Sequence, residues 1–133
     1  MSASLDFLEP TLQTVFRRLQ GWYASKYPNR SMELTHSRRT AVEQLYLFVQ
    51  GRLPNYPGAI VTWKDGFVNK SKHNFDPSRA FDFGIKIDGK FAWHDGIGVH
   101  LGKVIPQALL ELGYGKEIRY GGEFNDFFHI ELR

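Results

Sequence analysis

The chain has 133 residues, 42% of them hydrophobic and 23% charged, which fits an ordinary water-soluble fold of about one domain. It has no cysteine, so disulfides, thiolate metal sites and cysteine nucleophiles are excluded, and any metal site must be built from His, Asp and Glu. The 17 Lys and Arg against 14 Asp and Glu leave a charge of +3, a mild excess that suits a polyanionic partner but does not require one.

No apolar run approaches the roughly 20 residues that cross a bilayer, so membrane insertion is not expected. The opening MSASLDFLEPTLQ carries acids where a secretory signal carries basic residues, so the expectation is synthesis in the cytoplasm. No internal repeat, low-complexity tract or linker interrupts the chain, and one domain over residues 1–133 is expected.

From Thr11 to about Lys26, Leu12, Val15, Phe16, Leu19, Trp22 and Tyr23 recur at helical spacing, and Tyr27-Pro28-Asn29 stops the run. Met32 to His36 predicts a short strand. In RRTAVEQLYLFVQGR, Thr40 followed three residues later by Glu43 is a capping-box pattern, with Gly51 placed to end the helix. LPNYPGAIVTWKDG is turn-rich, with Ile60-Val61-Thr62 extended. Phe81 to Ile87 alternates as a strand does, Asp88-Gly89 is a hairpin turn, and Lys90 to His94 returns antiparallel. A helix is expected over Val99 to Leu112, ended by Gly113, with Pro106 obscuring its first part. Glu117 to Tyr120 and Phe127 to Leu132 complete the strands. Helices first and hairpins later predict an α+β fold, with helices packed on a small antiparallel sheet.

The stretch SKHNFDPSRAFDFG, residues 71–84, sets His73 ahead of Asp76 and Asp82 among aromatic residues, and GGEFNDFFHIEL sets His129 among acids in the same way. Carboxylates beside a histidine in an apolar setting are costly unless paired. His36, His94 and His100 lack such acidic surroundings and read as structural. Two histidines, one carboxylate and a water form a recurring catalytic zinc site, in which the metal lowers the pKa of water to about 7. A second carboxylate must then carry the proton, and Asp126 stands three residues before His129. No HExxH is present, so distant segments have to bring the histidines together.

These motifs resemble the zinc peptidases that include D-alanyl-D-alanine carboxypeptidases and phage L-alanyl-D-glutamate endolysins. The first family signature, S-x-H-x-x-G-x-A-x-D, is matched at its ends by Ser71, His73, Ala80 and Asp82, and the acid three residues before a late histidine by Asp126 and His129. Arg39, Gln44, Gly51-Arg52, the run Pro57 to Thr62 and Gly121-Gly122-Glu123-Phe124 are similar to features of the endolysin branch. The likeness covers roughly residues 31–133. The stretch from His73 to Asp82 is two residues longer than the signature and lacks its glycine. Asp76 is therefore a competing ligand, although Asp76-Pro77-Ser78 reads as a turn and Asp82 begins a strand.

The resemblance implies that His73, Asp82 and His129 bind Zn2+, that Asp126 is the general base, and that Arg39 stabilises the developing oxyanion. Ser71 and Gln44 would support the site or touch substrate. Within an extended strand residues 126 and 129 face opposite sides, so Asp126 reaches the site only if the chain turns near Asn125-Asp126. Otherwise Glu131, on the face of His129, is the acid to test, and Glu123 is a third.

The expected function is a zinc-dependent peptidoglycan peptidase, an endolysin cutting the L-alanyl-D-glutamate bond of the stem peptide. It would act as a lone catalytic domain and monomer, without a separate cell-wall-binding domain, and reach the wall after release by a phage holin. The same chemistry on terminal D-Ala-D-Ala is the alternative. A non-enzymatic binder of cell wall or nucleic acid is the rival of another class; nucleic acid is not expected, because no zinc-finger pattern occurs and no helix concentrates the basic residues.

Overall fold

Leu12, Val15, Phe16, Leu19 and Tyr23 lie on one side of a helix, α1 (Pro10–Lys26), and all five are buried. Pro10 opens α1 where its missing N–H costs nothing, and the Glu9 carboxylate accepts from Thr11 N at 3.1 Å. The computed structural model describes residues 3–133. Strand β1 (Arg30–His36) follows, then α2 (Ala41–Val49), whose capping box is complete: Thr40 Oγ1 accepts from Glu43 N and Glu43 Oε1 from Thr40 N. Gly51 ends α2 at φ +78°, where a Cβ would stand 2.8 Å from the Gly58 carbonyl oxygen.

Strand β2 (Ala80–Ile87) turns through Asp88 and Gly89, both at positive φ, into β3 (Lys90–Ala92). Helix α3 (Asp95–Glu111), β4 (Ile118–Tyr120) and β5 (His129–Leu132) complete the chain. All pairings are antiparallel, in the order β1-β2-β5-β4, with β3 beside the far half of β2. The fold is α+β, as its pattern of elements predicts.

Period-two alternation divides β2 between two environments. Phe81, Phe83 and Ile85 point into a core shared with Met32, Ile118, Ile130 and the apolar stripes of α1 and α3, and Phe16 meets Phe81 edge-on at 5.5 Å. Asp82 and Gly84 point to the opposite face. There Phe91 and Trp93 stack over Gly84, where a Cβ would come within 2.6 Å of Trp93. Burying α1 and α3 on one face leaves the other for polar chemistry.

Several boundaries differ from the sequence reading; β3, for one, ends at Ala92 rather than His94. Helix α3 starts at Asp95 rather than Val99, because Ile97 and Leu101 gain burial that outweighs the poor propensities of Gly96 and Gly98. Gly98 and Gly102 also leave room for the Phe127 ring, 3.2 and 3.5 Å from where their Cβ atoms would be. Ile60-Val61-Thr62 lies in an irregular segment, as expected, and Thr62 is held by a side chain of α2. The last strand begins at His129, not Phe127. Among the described residues no helix is long and apolar enough to cross a membrane.

Candidate metal centre

Asp82 occupies the middle of a row of three side chains on the open face of the sheet. Backbone register places it opposite His129 of β5 on one side and opposite His36 of β1 on the other. His73 comes from outside the sheet, on a short 3₁₀ turn (Lys72–Asn74) capped by Ser71, whose Oγ accepts from His73 N. Asn74 ties this turn to the segment after β1 by donating to the Arg39 carbonyl at 2.9 Å, and Arg39 N donates to the His73 carbonyl at 2.8 Å. Four segments far apart in sequence thereby converge.

The atoms that meet are His73 Nε2, Asp82 Oδ1 and His129 Nδ1. The carboxylate oxygen lies 3.3 Å from the first nitrogen and 2.9 Å from the second, and the two nitrogens are 3.3 Å apart. Tetrahedral zinc with bonds of 2.0–2.2 Å sets its ligand atoms about 3.3–3.5 Å apart, so the two 3.3 Å separations match, while the 2.9 Å one is that of a hydrogen bond. Each imidazole also has an acceptor at its far nitrogen. His73 Nδ1 donates to the Ser37 carbonyl at 2.8 Å, and His129 Nε2 donates to Glu131 at 2.8 Å. Those partners hold the far nitrogens and leave His73 Nε2 and His129 Nδ1 aimed at one carboxylate oxygen. Only a cation or a proton between them relieves that arrangement. Among the described residues this is the one group of three or more such side chains close enough to share an ion.

Electrostatics agree. Burial alone would push the Asp82 pKa up, but hydrogen bonds from His129, His36 and His73 outweigh it and hold the carboxyl well below its ordinary value. Burial works against a charge on His129 too, yet Asp82 and Glu131 on its two nitrogens raise its pKa to about 9. A metal ion entering here would have to displace the proton that these carboxylates stabilise on His129.

Asp126 reaches the site. Asn125 adopts a left-handed conformation, φ 64° and ψ 23°, and β5 has not yet begun, so Asp126 Oδ2 stands 3.9 Å from His129 Nδ1. Its pKa is raised, first by burial and further by Asp82, while His129 opposes the shift. Glu131 is engaged with His129 and Lys72, and Glu123 pairs with Arg119 and Arg133. Asp76 points away from the cluster, 3.5 Å from Arg38, and the extra residues of this stretch stay outside the site.

A cleft of about 680 Å³ opens over the cluster, lined by Arg39, Ser71, Thr62, Lys70, Asp126 and Arg119 among others. Arg39 Nη1 donates to Gln44 Oε1 at 2.7 Å, and its buried Nε has no protein partner. Gln44 is fully buried and donates onward to Thr62 Oγ1 and the Lys64 carbonyl, so it links Arg39 to the loop that forms one cleft wall. Of the residues singled out from the sequence, His73, Asp82 and His129 meet, Asp126, Arg39, Ser71 and Glu131 line the same cleft and Gln44 holds Arg39, whereas Asp76 and Glu123 lie outside it. His36 and the Ser37 carbonyl are the participants that sequence reasoning missed: backbone oxygens leave no trace in side-chain patterns, and the acid nearest His36 along the chain, Glu33, is not the one it meets.

No family model matches the chain, and no curated protein matches it. Among solved structures, the crystal structure of the Serratia marcescens L-Ala D-Glu endopeptidase ChiX matches with a TM-score of 0.58 and 15% identity, over 97% of this chain and 83% of that one. At that identity the likeness is one of fold.

Proposed function

We propose that the protein is a zinc-dependent peptidoglycan peptidase that hydrolyses the L-alanyl-D-glutamate bond of the stem peptide. The observation carrying this reading is the pair of imidazole nitrogens facing one carboxylate oxygen at 2.9–3.3 Å on the floor of an open cleft. The fold shared with an L-Ala D-Glu endopeptidase supports the choice of substrate.

His73 Nε2, Asp82 Oδ1 and His129 Nδ1 would hold the ion, which supplies Lewis acidity to a water molecule and to the scissile carbonyl. Asp126, beside the cluster and half-exposed to the cleft, takes a proton from the attacking water as the C–O bond forms. It returns that proton to the amine nitrogen as the C–N bond breaks. Arg39, held by Gln44 in the lining of the cleft, stabilises negative charge on the carbonyl oxygen. Ser71 acts indirectly, by capping the turn that presents His73.

Glu131 orients His129 by accepting from its Nε2–H. Glu131→Gln exchanges a charged acceptor for an amide, and zinc affinity should fall by about 10–100-fold. Competition against a chromogenic chelator reads this directly, and an unchanged affinity would remove Glu131 from the role.

Digestion of purified cell wall by the zinc-loaded protein tests the function itself. New amino-terminal D-glutamate, lost on chelation and restored by zinc, is the expected product. Free D-alanine would assign the chain to carboxypeptidase or dipeptidase chemistry instead. Wall binding with no new amino termini would make it a non-enzymatic binder.

A further inference from the structure

His36 has no part in the mechanism above, yet the backbone makes a special arrangement to place it. From Arg30 to Leu34, β1 pairs with β2 in constant register, Arg30 opposite Ile87 through Leu34 opposite Phe83. Continued unchanged, that register would set Thr35 opposite Asp82 and turn the His36 side chain toward the core face. Instead the register shifts between Leu34 and His36, and His36 becomes the partner of Asp82. One extra residue in the strand therefore moves an imidazole from the core face of the sheet to the face carrying the cluster.

The two oxygens of Asp82 are consequently divided. Oδ1 meets His73 Nε2 and His129 Nδ1, whereas Oδ2 lies 3.5 Å from His36 Nδ1. We infer that His36 is a positioning residue, seated by the bulge in β1 to occupy Asp82 Oδ2 so that Asp82 offers a metal ion one oxygen and not two. A carboxylate free on both oxygens can chelate, filling a coordination position that a hydrolytic site needs open. His36 keeps that position clear, acting through Asp82 without being a ligand. The inference rests on the metal-site reading above.

His36 is 43% exposed, so removing its ring opens no buried cavity, and a purely structural role predicts little effect beyond small changes in stability. Three proteins decide the matter: wild type, His36→Ala, and His36→Asn, whose side-chain amide can place an N–H near the position of Nδ1. Zinc affinity is measured by chelator competition, coordination by the visible absorption of the cobalt(II)-substituted proteins, and folding by thermal unfolding of the metal-free forms. In His36→Ala, zinc affinity should change by about 10–100-fold, the range typical when the partner of a metal ligand is lost. Its cobalt spectrum should move toward the weaker bands of higher coordination. His36→Asn should recover most of the wild-type spectrum, and all three metal-free proteins should unfold at similar temperatures. A His36→Ala variant with wild-type zinc affinity and cobalt spectrum overturns the inference while leaving the metal site standing. Failure of His36→Asn to recover the spectrum, or a matching loss of metal-free stability in His36→Ala, overturns it too. A wild-type protein that takes up neither metal sinks both readings.

Discussion

Alanine at His73 or at His129 should eliminate zinc binding and wall hydrolysis together. Each substitution removes one of three ligand atoms lying within 3.3 Å of one another, leaving two donors that cannot enclose an ion. The Lewis acidity lost is worth several kcal/mol at the transition state, which converts to roughly a thousandfold or more in kcat/KM. Both histidines are buried, so some destabilisation accompanies the change. In His73→Ala the Ser37 carbonyl loses one of its donors but keeps the Ser78 hydroxyl, which limits the cost to about 1 kcal/mol. Metal analysis and circular dichroism of the variants separate the two effects: the fold should persist while zinc does not. Full wall lysis by either variant, or by wild type stripped of metal, would show that the cluster is not the engine of hydrolysis.

Asp126→Asn should behave in the opposite way with respect to metal. Asparagine keeps the shape but cannot take a proton, so kcat should fall by about 10²–10⁴-fold while zinc content stays at the wild-type level. The side chain is half-exposed and touches the cluster only at 3.9 Å, so little stability depends on it. Glu123→Gln provides the contrast. Glu123 sits at the surface between Arg119 and Arg133, and pairs of that kind contribute at most about 1 kcal/mol and no chemistry. Equal kcat in Asp126→Asn and wild type would transfer the proton-carrying role elsewhere, with Glu131 the next carboxylate to examine.

Much of this site could be read from the residues alone, for identifiable reasons. The capping box at Thr40 and Glu43 and the Asp88-Gly89 turn are local, so their chemistry sits within four residues of sequence. The two faces of β2 follow from alternation alone, which already placed Asp82 opposite the aromatic core positions. The extension of α3 to Asp95 was not legible, because it depends on tertiary packing: Ile97 and Leu101 enter the core, and Phe127 lies where Gly98 and Gly102 lack side chains. The reach of Asp126 depends on one left-handed residue, Asn125, that period-two logic treats as strand. His36 was passed over because only a slip of register, invisible in composition or spacing, brings it beside an acid.

The helix α2 has one fully buried side chain, and that side chain is an amide. The floor of the cleft belongs to the central strands of the sheet and shares their cooperativity. The wall running through Thr62 and Lys64 hangs from Gln44 by hydrogen bonds, with little apolar anchorage behind it. A breathing motion that breaks those few bonds would swing that wall outward while the floor carrying His73, Asp82 and His129 stays assembled. A polymer as bulky and branched as a cross-linked wall could then enter from the side, with no need to be threaded in by a free end.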